Sequence, residues 1–100
     1  MATLSVVIIA KNEERTIARV LGAVRDIADE IILVDSGSED RTKEIASELG
    51  ATVSHQDWLG YAAQKNYALD LASSDWILSL DADEIMTPEA VAEVKAIIAA

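Results

Sequence analysis

The run Leu4-Ser5-Val6-Val7-Ile8-Ile9, with Lys11-Asn12-Glu13-Glu14 close behind it, decides the fold. A strand with one wet face alternates apolar and polar residues, whereas a nearly continuous apolar run reads as a strand covered on both faces, as in a parallel sheet. The run is too short for a bilayer span, which needs roughly twenty apolar residues, and it lacks the basic start and small-residue cleavage site of a secretory signal. No later apolar stretch reaches that length.

Outward from this strand the period changes. Ile17, Val20, Leu21 and Val24 recur at three- and four-residue intervals between Glu14 and about Arg25, which predicts a helix with one apolar stripe. Ile31–Val34 is a second strand, stopped by the turn- and cap-forming Asp35-Ser36-Gly37-Ser38. The next helix carries Ile45, Ala46 and Leu49 on its apolar side, with Glu39 and Asp40 expected in its first turn and Gly50 as terminator. Ala51–Ser54 reads as a third strand, His55 to Trp58 as a loop, Tyr61 to Leu71 as a helix and Trp76–Leu80 as a fourth strand. Thr87-Pro88-Glu89 reads as an N-cap, first helical residue and first-turn acid, opening a helix with Val91, Val94 and Ile98 on one face. Alternating strands and helices predict an α/β fold: a mostly parallel sheet flanked by helices. The last helix reaches Ala100 without a stop signal, so the domain is expected to continue beyond it.

Composition narrows the function. One hundred residues suit one small domain, and 51% hydrophobic against 26% charged residues places the chain among packed globular sequences rather than disordered ones. Eighteen acidic and eight basic residues leave a net charge of −10, which disfavours nucleic-acid binding. Without cysteine there is no disulfide framework or thiolate metal site.

Polar clusters follow strands one, two and four at Lys11–Glu14, Asp35–Ser38 and Asp81–Glu84, and parallel strands bring such ends into one crevice. Asp81 and Asp83, two residues apart at a strand exit, suit a hard cation such as Mg²⁺ or Mn²⁺, with diphosphate and water completing the coordination. A solvated acidic loop is the bland alternative. Asp35 is a candidate acceptor for a nucleobase N–H and Ser36 for ribose, and both equally suit local backbone amides. Glu13 is placed for base or ribose, Lys65 for phosphate and Asn66 for bracing; Asn12 suits a turn. Lone His55 lacks metal-ligand company, and Trp58 and Tyr61 are loop-packing residues, with acceptor stacking a further use.

Taken together, these segments resemble a family 2 glycosyltransferase with the Rossmann-like GT-A fold. Ser5–Glu13 looks like its opening strand and nucleotide loop, which marks Ala10, Asn12 and Glu13 as donor-binding. Ile32–Thr42 resembles the second nucleotide segment, Gly60–Ala68 with its Lys65-Asn66 pair the helix after the third strand, and Asp81-Ala82-Asp83 the metal motif. The resemblance implies Asp35 and Glu13 near base and ribose, Lys65 near the donor, Asp83 on the metal, and Asp81 on ribose or the metal-bound diphosphate. Asp35-Ser36 departs from the consecutive acids of many relatives, which leaves the division of base contacts open.

Asp35-Ser36-Gly37-Ser38, Trp58-Leu59-Gly60 and Asp81-Ala82-Asp83-Glu84 are together similar to bacterial lipopolysaccharide-core glucosyltransferases. That implies an inverting, metal-dependent transfer from a nucleotide sugar, UDP-glucose, to a lipopolysaccharide-core or related lipid-linked glycan. It also implies a cytoplasmic site at the inner membrane face, with peripheral membrane association through a missing portion. Residues 1–100 would then be the N-terminal nucleotide-sugar-binding portion of a single truncated domain, with the catalytic base in a later half. The alternatives are a noncatalytic nucleotide-binding or structural module and a sugar nucleotidyltransferase fragment, the latter disfavoured by the lack of a Gly- and Arg-rich phosphate loop.

Overall fold

In the computed structural model, which describes residues 2–100, four strands alternate with four helices. The elements are β1 (Leu4–Ala10), α1 (Ile17–Val24), β2 (Glu30–Asp35), α2 (Thr42–Glu48), β3 (Thr52–His55), α3 (Tyr61–Leu71), β4 (Trp76–Asp81) and α4 (Pro88–Ala99). The strands form one parallel sheet in the order β3-β2-β1-β4.

β1 lies in the interior of the sheet, and its apolar run is buried because each face has its own cover. Side chains alternate across a strand. Leu4, Val6, Ile8 and Ala10 join Ile17, Val20, Leu21 and Val24 of α1 in a core that also takes in Ala46 of α2 and, at its margin, Val94 and Ile98 of α4. Val7, with Ile32 and Val34 of β2, packs on the opposite face against Ala68 of α3. Burial of each large aliphatic side chain contributes about 1.5–3 kcal/mol, so covering both faces is what makes a continuous apolar strand stable.

The expected elements are all present, with local differences. α1 begins at Ile17, because residues 14–16 form a turn rather than the first helical residues. Glu39 and Asp40 precede α2 instead of lying in its first turn; the Asp40 carboxylate accepts hydrogen bonds from the Thr42 amide at 2.9 Å and from the Thr42 hydroxyl. Gly50, with φ +93°, ends that helix as expected. At α4 the Thr87 hydroxyl accepts the Ala90 amide at 3.1 Å, with Pro88 in the first turn. No helix among the described residues is long and apolar enough to cross a membrane.

Ser5 is a polar residue in the otherwise apolar β1 run, and its hydroxyl donates to Glu30 Oε1 at 2.7 Å. The Ser73 amide and hydroxyl donate to the same carboxylate at 3.1 and 3.2 Å, linking β1, β2 and the approach to β4. These bonds, that from Ser5 foremost, hold the Glu30 carboxyl below its ordinary value of 4.5 against the opposing effect of partial burial. A depressed carboxylate stabilises the fold above its unfolded value, and that contribution disappears as pH falls through the folded value. Glu30→Gln is therefore expected to lower stability at pH 7 by about 1–2 kcal/mol, with parent and variant converging below pH 4.5; urea unfolding across pH 7 to 3 measures it.

Candidate donor-binding site

The carboxyl ends of β1, β2 and β4 open into one cleft of about 500 Å³. β1 supplies Ala10, Lys11 and Glu13 through its exit loop, β2 supplies Ser36, and β4 supplies Asp81 and Asp83. The wall on the α3 side comes from Trp58, Tyr61 and Gln64. The sequence order turns back here: β1, β2 and β3 run to one edge, and the chain then crosses on the α3 face to place β4 on the other side of β1. Connections on opposite sides of β1 leave a crevice between their loops, the usual ligand position in such sheets.

Hydrogen bonds between loops fix the rim. The Asn12 amide donates to Ser38 Oγ and the Glu39 amide to Asn12 Oδ1, both at 2.8 Å, while the Glu13 amide donates to Thr42 Oγ1 at 2.8 Å. Asn12 adopts φ +55°, a left-handed conformation that Asn tolerates better than most residues. It serves as the brace between loops and does not line the cleft. The Thr16 hydroxyl donates to the Ala82 carbonyl at 2.9 Å, tying the β4 exit to the start of α1. With Ala82 buried between them, Asp81 and Asp83 both border the cleft, as their spacing suggests.

Asp35 is placed differently from the other candidates. It is fully buried; its Oδ2 accepts the Gly37 and Ser38 amides at 2.9 and 2.8 Å, and its Oδ1 accepts the Ser38 hydroxyl. Of the two uses open to Asp35, the structure shows the local-amide one, while the neighbouring Ser36 lines the cleft. Gly37, at φ +119°, lets the chain turn back over the carboxylate.

Lys65 points at the acidic end. Its Nζ lies 3.5 Å from Asp81 Oδ1 and 5.0 Å from the Tyr61 ring centre, and the Tyr61 hydroxyl donates to the same Asp81 oxygen at 3.4 Å. Tyr61 first, and then the charge of Asp81, raise the Lys65 pKa above the ordinary lysine value, opposed by partial burial. His55 pairs instead with Asp57 at 2.7 Å, on the exposed surface. No group of three or more His, Cys, Asp or Glu side chains suited to a metal gathers among the described residues. Asp81 and Asp83 are hard oxygen donors, and two such carboxylates suit Mg²⁺ or Mn²⁺, which commonly takes its other ligands from water and substrate phosphate. The pair thus fits a cation completed by a ligand.

The site residue missed by sequence reasoning is Gln64. Fully buried, it donates from Nε2 to the Gln56 carbonyl at 2.9 Å and accepts the Leu59 amide on Oε1 at 3.1 Å. A glutamine on a helix has no sequence signal that separates this role from a solvated one; the cue was its place one helical turn before Ala68, on the inward face.

Residues 5–99 match the sequence model of Glycosyl transferase family 2. The chain belongs to this family. It is similar to an uncharacterized glycosyltransferase of Rickettsia felis, with 48% identity over 99 residues, covering 99% of this chain and 35% of that protein. Similarity extends to the lipopolysaccharide core biosynthesis glycosyltransferase LpsC of Rhizobium meliloti, with 37% identity over 86 residues, 81% of this chain and 32% of that one. Among solved structures, it resembles glucosyl-3-phosphoglycerate synthase of Mycobacterium tuberculosis in complex with Mn²⁺, UDP and glucosyl-3-phosphoglycerate. That match has a TM-score of 0.71 and 31% identity over 81% of this chain and 33% of the synthase. The chain spans about a third of the length of these relatives. The family and the sheet agree: this is the parallel α/β fold of a family 2 glycosyltransferase.

In this glycosyltransferase fold, Asp35→Ala leaves two loop amides and the Ser38 hydroxyl without their acceptor. It is expected to cost about 2–3 kcal/mol, read as a lower urea midpoint with an unchanged denaturant slope.

Proposed function

We propose that this chain forms the donor-binding part of an inverting, metal-dependent glycosyltransferase that uses UDP-glucose and transfers glucose to a lipopolysaccharide-core or related glycan. The observation carrying this reading is the meeting of Asp81 and Asp83 with the β1 and β2 exit loops in one cleft. The relatives support the finer choices: the M. tuberculosis synthase is seen with UDP and Mn²⁺, and LpsC is named for lipopolysaccharide core biosynthesis. A lipid-linked acceptor would place the reaction at the cytoplasmic membrane face, with the remainder of the protein making the peripheral membrane contact.

Each residue then has a defined task. Glu13 accepts hydrogen bonds from base or ribose, Ser36 contacts ribose, and the Ala10 backbone borders the nucleotide. Asp83 is the principal ligand to Mg²⁺ or Mn²⁺, because its carboxylate is exposed to the cleft while that of Asp81 is shared with Lys65 and Tyr61. Asp81 assists through ribose or the metal-bound diphosphate. The bound cation would supply positive charge to stabilise the departing UDP. Lys65 limits repulsion between Asp81 and an incoming diphosphate and lies near enough to exchange one anion for the other. An acceptor hydroxyl attacks the anomeric carbon as UDP leaves, and its proton goes to a base assigned to none of the carboxylates in this cleft.

Calorimetric titration with UDP tests the assignment. Mn²⁺ is expected to raise UDP affinity at least about tenfold, equivalent to ~1.4 kcal/mol, and Asp83→Asn to remove most of that enhancement while circular dichroism stays unchanged. Linkage requires UDP to tighten Mn²⁺ binding by the same factor. Equal UDP affinity of the parent in Mn²⁺ and in chelator, or full coupling retained in Asp83→Asn, would sink the metal assignment.

A further inference from the structure

The loop between β3 and α3 crosses the mouth of the cleft. At its start the Gln56 amide donates to the Asp35 carbonyl at 3.0 Å, at the end of β2, and at its finish the Tyr61 hydroxyl reaches Asp81 at the end of β4. Neighbouring strands lie about 4.8 Å apart, so these few residues bridge the carboxyl end of β1, which lies between β2 and β4. Trp58 sits within this bridge and lines the cleft, yet 58% of it remains exposed. Gln64 grips the bridge at two points, the Gln56 carbonyl and the Leu59 amide, which bracket Trp58 in the chain. Gly60, at φ +102°, lets the chain turn from Leu59 into α3 so that Gln64 can reach back.

We infer that Gln64 is a positioning residue: by fixing the Gln56–Leu59 bridge it sets the Trp58 indole as a stacking face for the base of the nucleotide held in the cleft. This rests on the donor-binding reading above. Asp81 and Asp83 define the diphosphate end of the cleft at β4, which directs the base toward the β2 side, where Ser36 lies and where the bridge begins. Trp58 is two residues from the Gln56 anchor on that side. A planar base suits an indole because every base offers a π face, and stacking tolerates base identity. Holding the bridge in place before binding removes the ordering cost that a loose tryptophan would bring to the complex. Both polar ends of the Gln64 amide are used on the bridge backbone, which leaves Gln64 to act through Trp58.

The test uses the Trp76→Phe protein, in which Trp58 is the sole tryptophan, with UDP and Mn²⁺ followed by fluorescence and, in parallel, by calorimetry. UDP is expected to change Trp58 emission saturably, with the calorimetric dissociation constant. Trp58→Ala should weaken UDP binding at least about fivefold, the lower end of one base–aromatic stack, with Trp58→Phe in between. Gln64→Met should also weaken binding several-fold and lower the Trp58 anisotropy of the free protein. The deciding measurement is the double-mutant cycle: with Trp58→Ala present, Gln64→Met should cost almost nothing further. If Gln64→Met does not fold, Gln64→Glu, which keeps an acceptor for the Leu59 amide and loses the donor to the Gln56 carbonyl, takes its place in the cycle.

Strict additivity in the cycle would show Gln64 to be a structural residue only and would overturn the inference. So would parent-like UDP binding by Trp58→Ala, or Trp58 emission that responds to UDP-glucose and ignores UDP, which would put the sugar rather than the base against the indole. Calorimetric UDP binding with a silent Trp58 defeats this inference alone. No UDP binding by the parent in Mn²⁺ removes the donor-site reading and this inference together.

Discussion

The buried carboxylate of Asp35 is the constraint on which the cleft's rim depends. A polar group so far from water is tolerated only when hydrogen bonds replace its hydration. Here the replacements are the Gly37 and Ser38 amides and the Ser38 hydroxyl. Ser38 Oγ passes the constraint onward by accepting the Asn12 amide, and Asn12 in turn accepts the Glu39 amide. The exits of β1 and β2 are consequently one cross-linked unit, and Glu13 and Ser36 border the cleft because that unit holds its shape. Thr16, bonded to the Ala82 carbonyl, extends the linkage to β4 and its two aspartates.

Topology explains why this unit borders a cleft. The chain lays down β1, β2 and β3 toward one edge with α1 and α2 on one face, then returns by α3 on the other face to add β4 beside β1. A right-handed crossover in the reverse direction along the sheet must use the opposite face. The loops after β1 and β3 therefore leave for opposite faces of the sheet, and the gap between them is the cleft. β1, interior to the sheet and covered on both faces, is the fixed member against which both sides are measured.

Much of this was legible because burial leaves a periodic trace. The unbroken apolar run of β1, the Ile17-Val20-Leu21-Val24 stripe and the Thr87-Pro88 cap each follow from one local rule, and each matches the structure. The convergence of the strand-end clusters was legible too, since it needs only parallel strands. What could not be read were choices among partners of equal chemistry. Asp35 suits a nucleobase N–H or a loop amide, and only the fold of Gly37 over it decides in favour of the amides shown. Asn12 spans to a loop 26 residues away, a partner its own neighbourhood does not announce. Gln64 leaves no apolar trace on α3, because a buried amide bonded to backbone looks, in sequence, like any surface glutamine.

The charge of the site follows from the same economy of partners. One lysine and three carboxylates line the cleft, in a chain whose net charge is −10, so on its own the site repels a diphosphate. Lys65 offsets Asp81 at 3.5 Å, but with the two side chains 28% and 50% exposed the pair is partly screened by water and contributes little to stability. Its effect is better understood locally: of the two aspartates at the β4 exit, it leaves Asp83 without a protein cation beside it among the described contacts and Asp81 with one. A divalent cation arriving with a diphosphate would reverse the sign of that corner and release Lys65 toward phosphate. Net negative charge and an anionic donor would then be compatible, because the attraction would be supplied by an ion that the two carboxylates share with the ligand rather than by a basic surface.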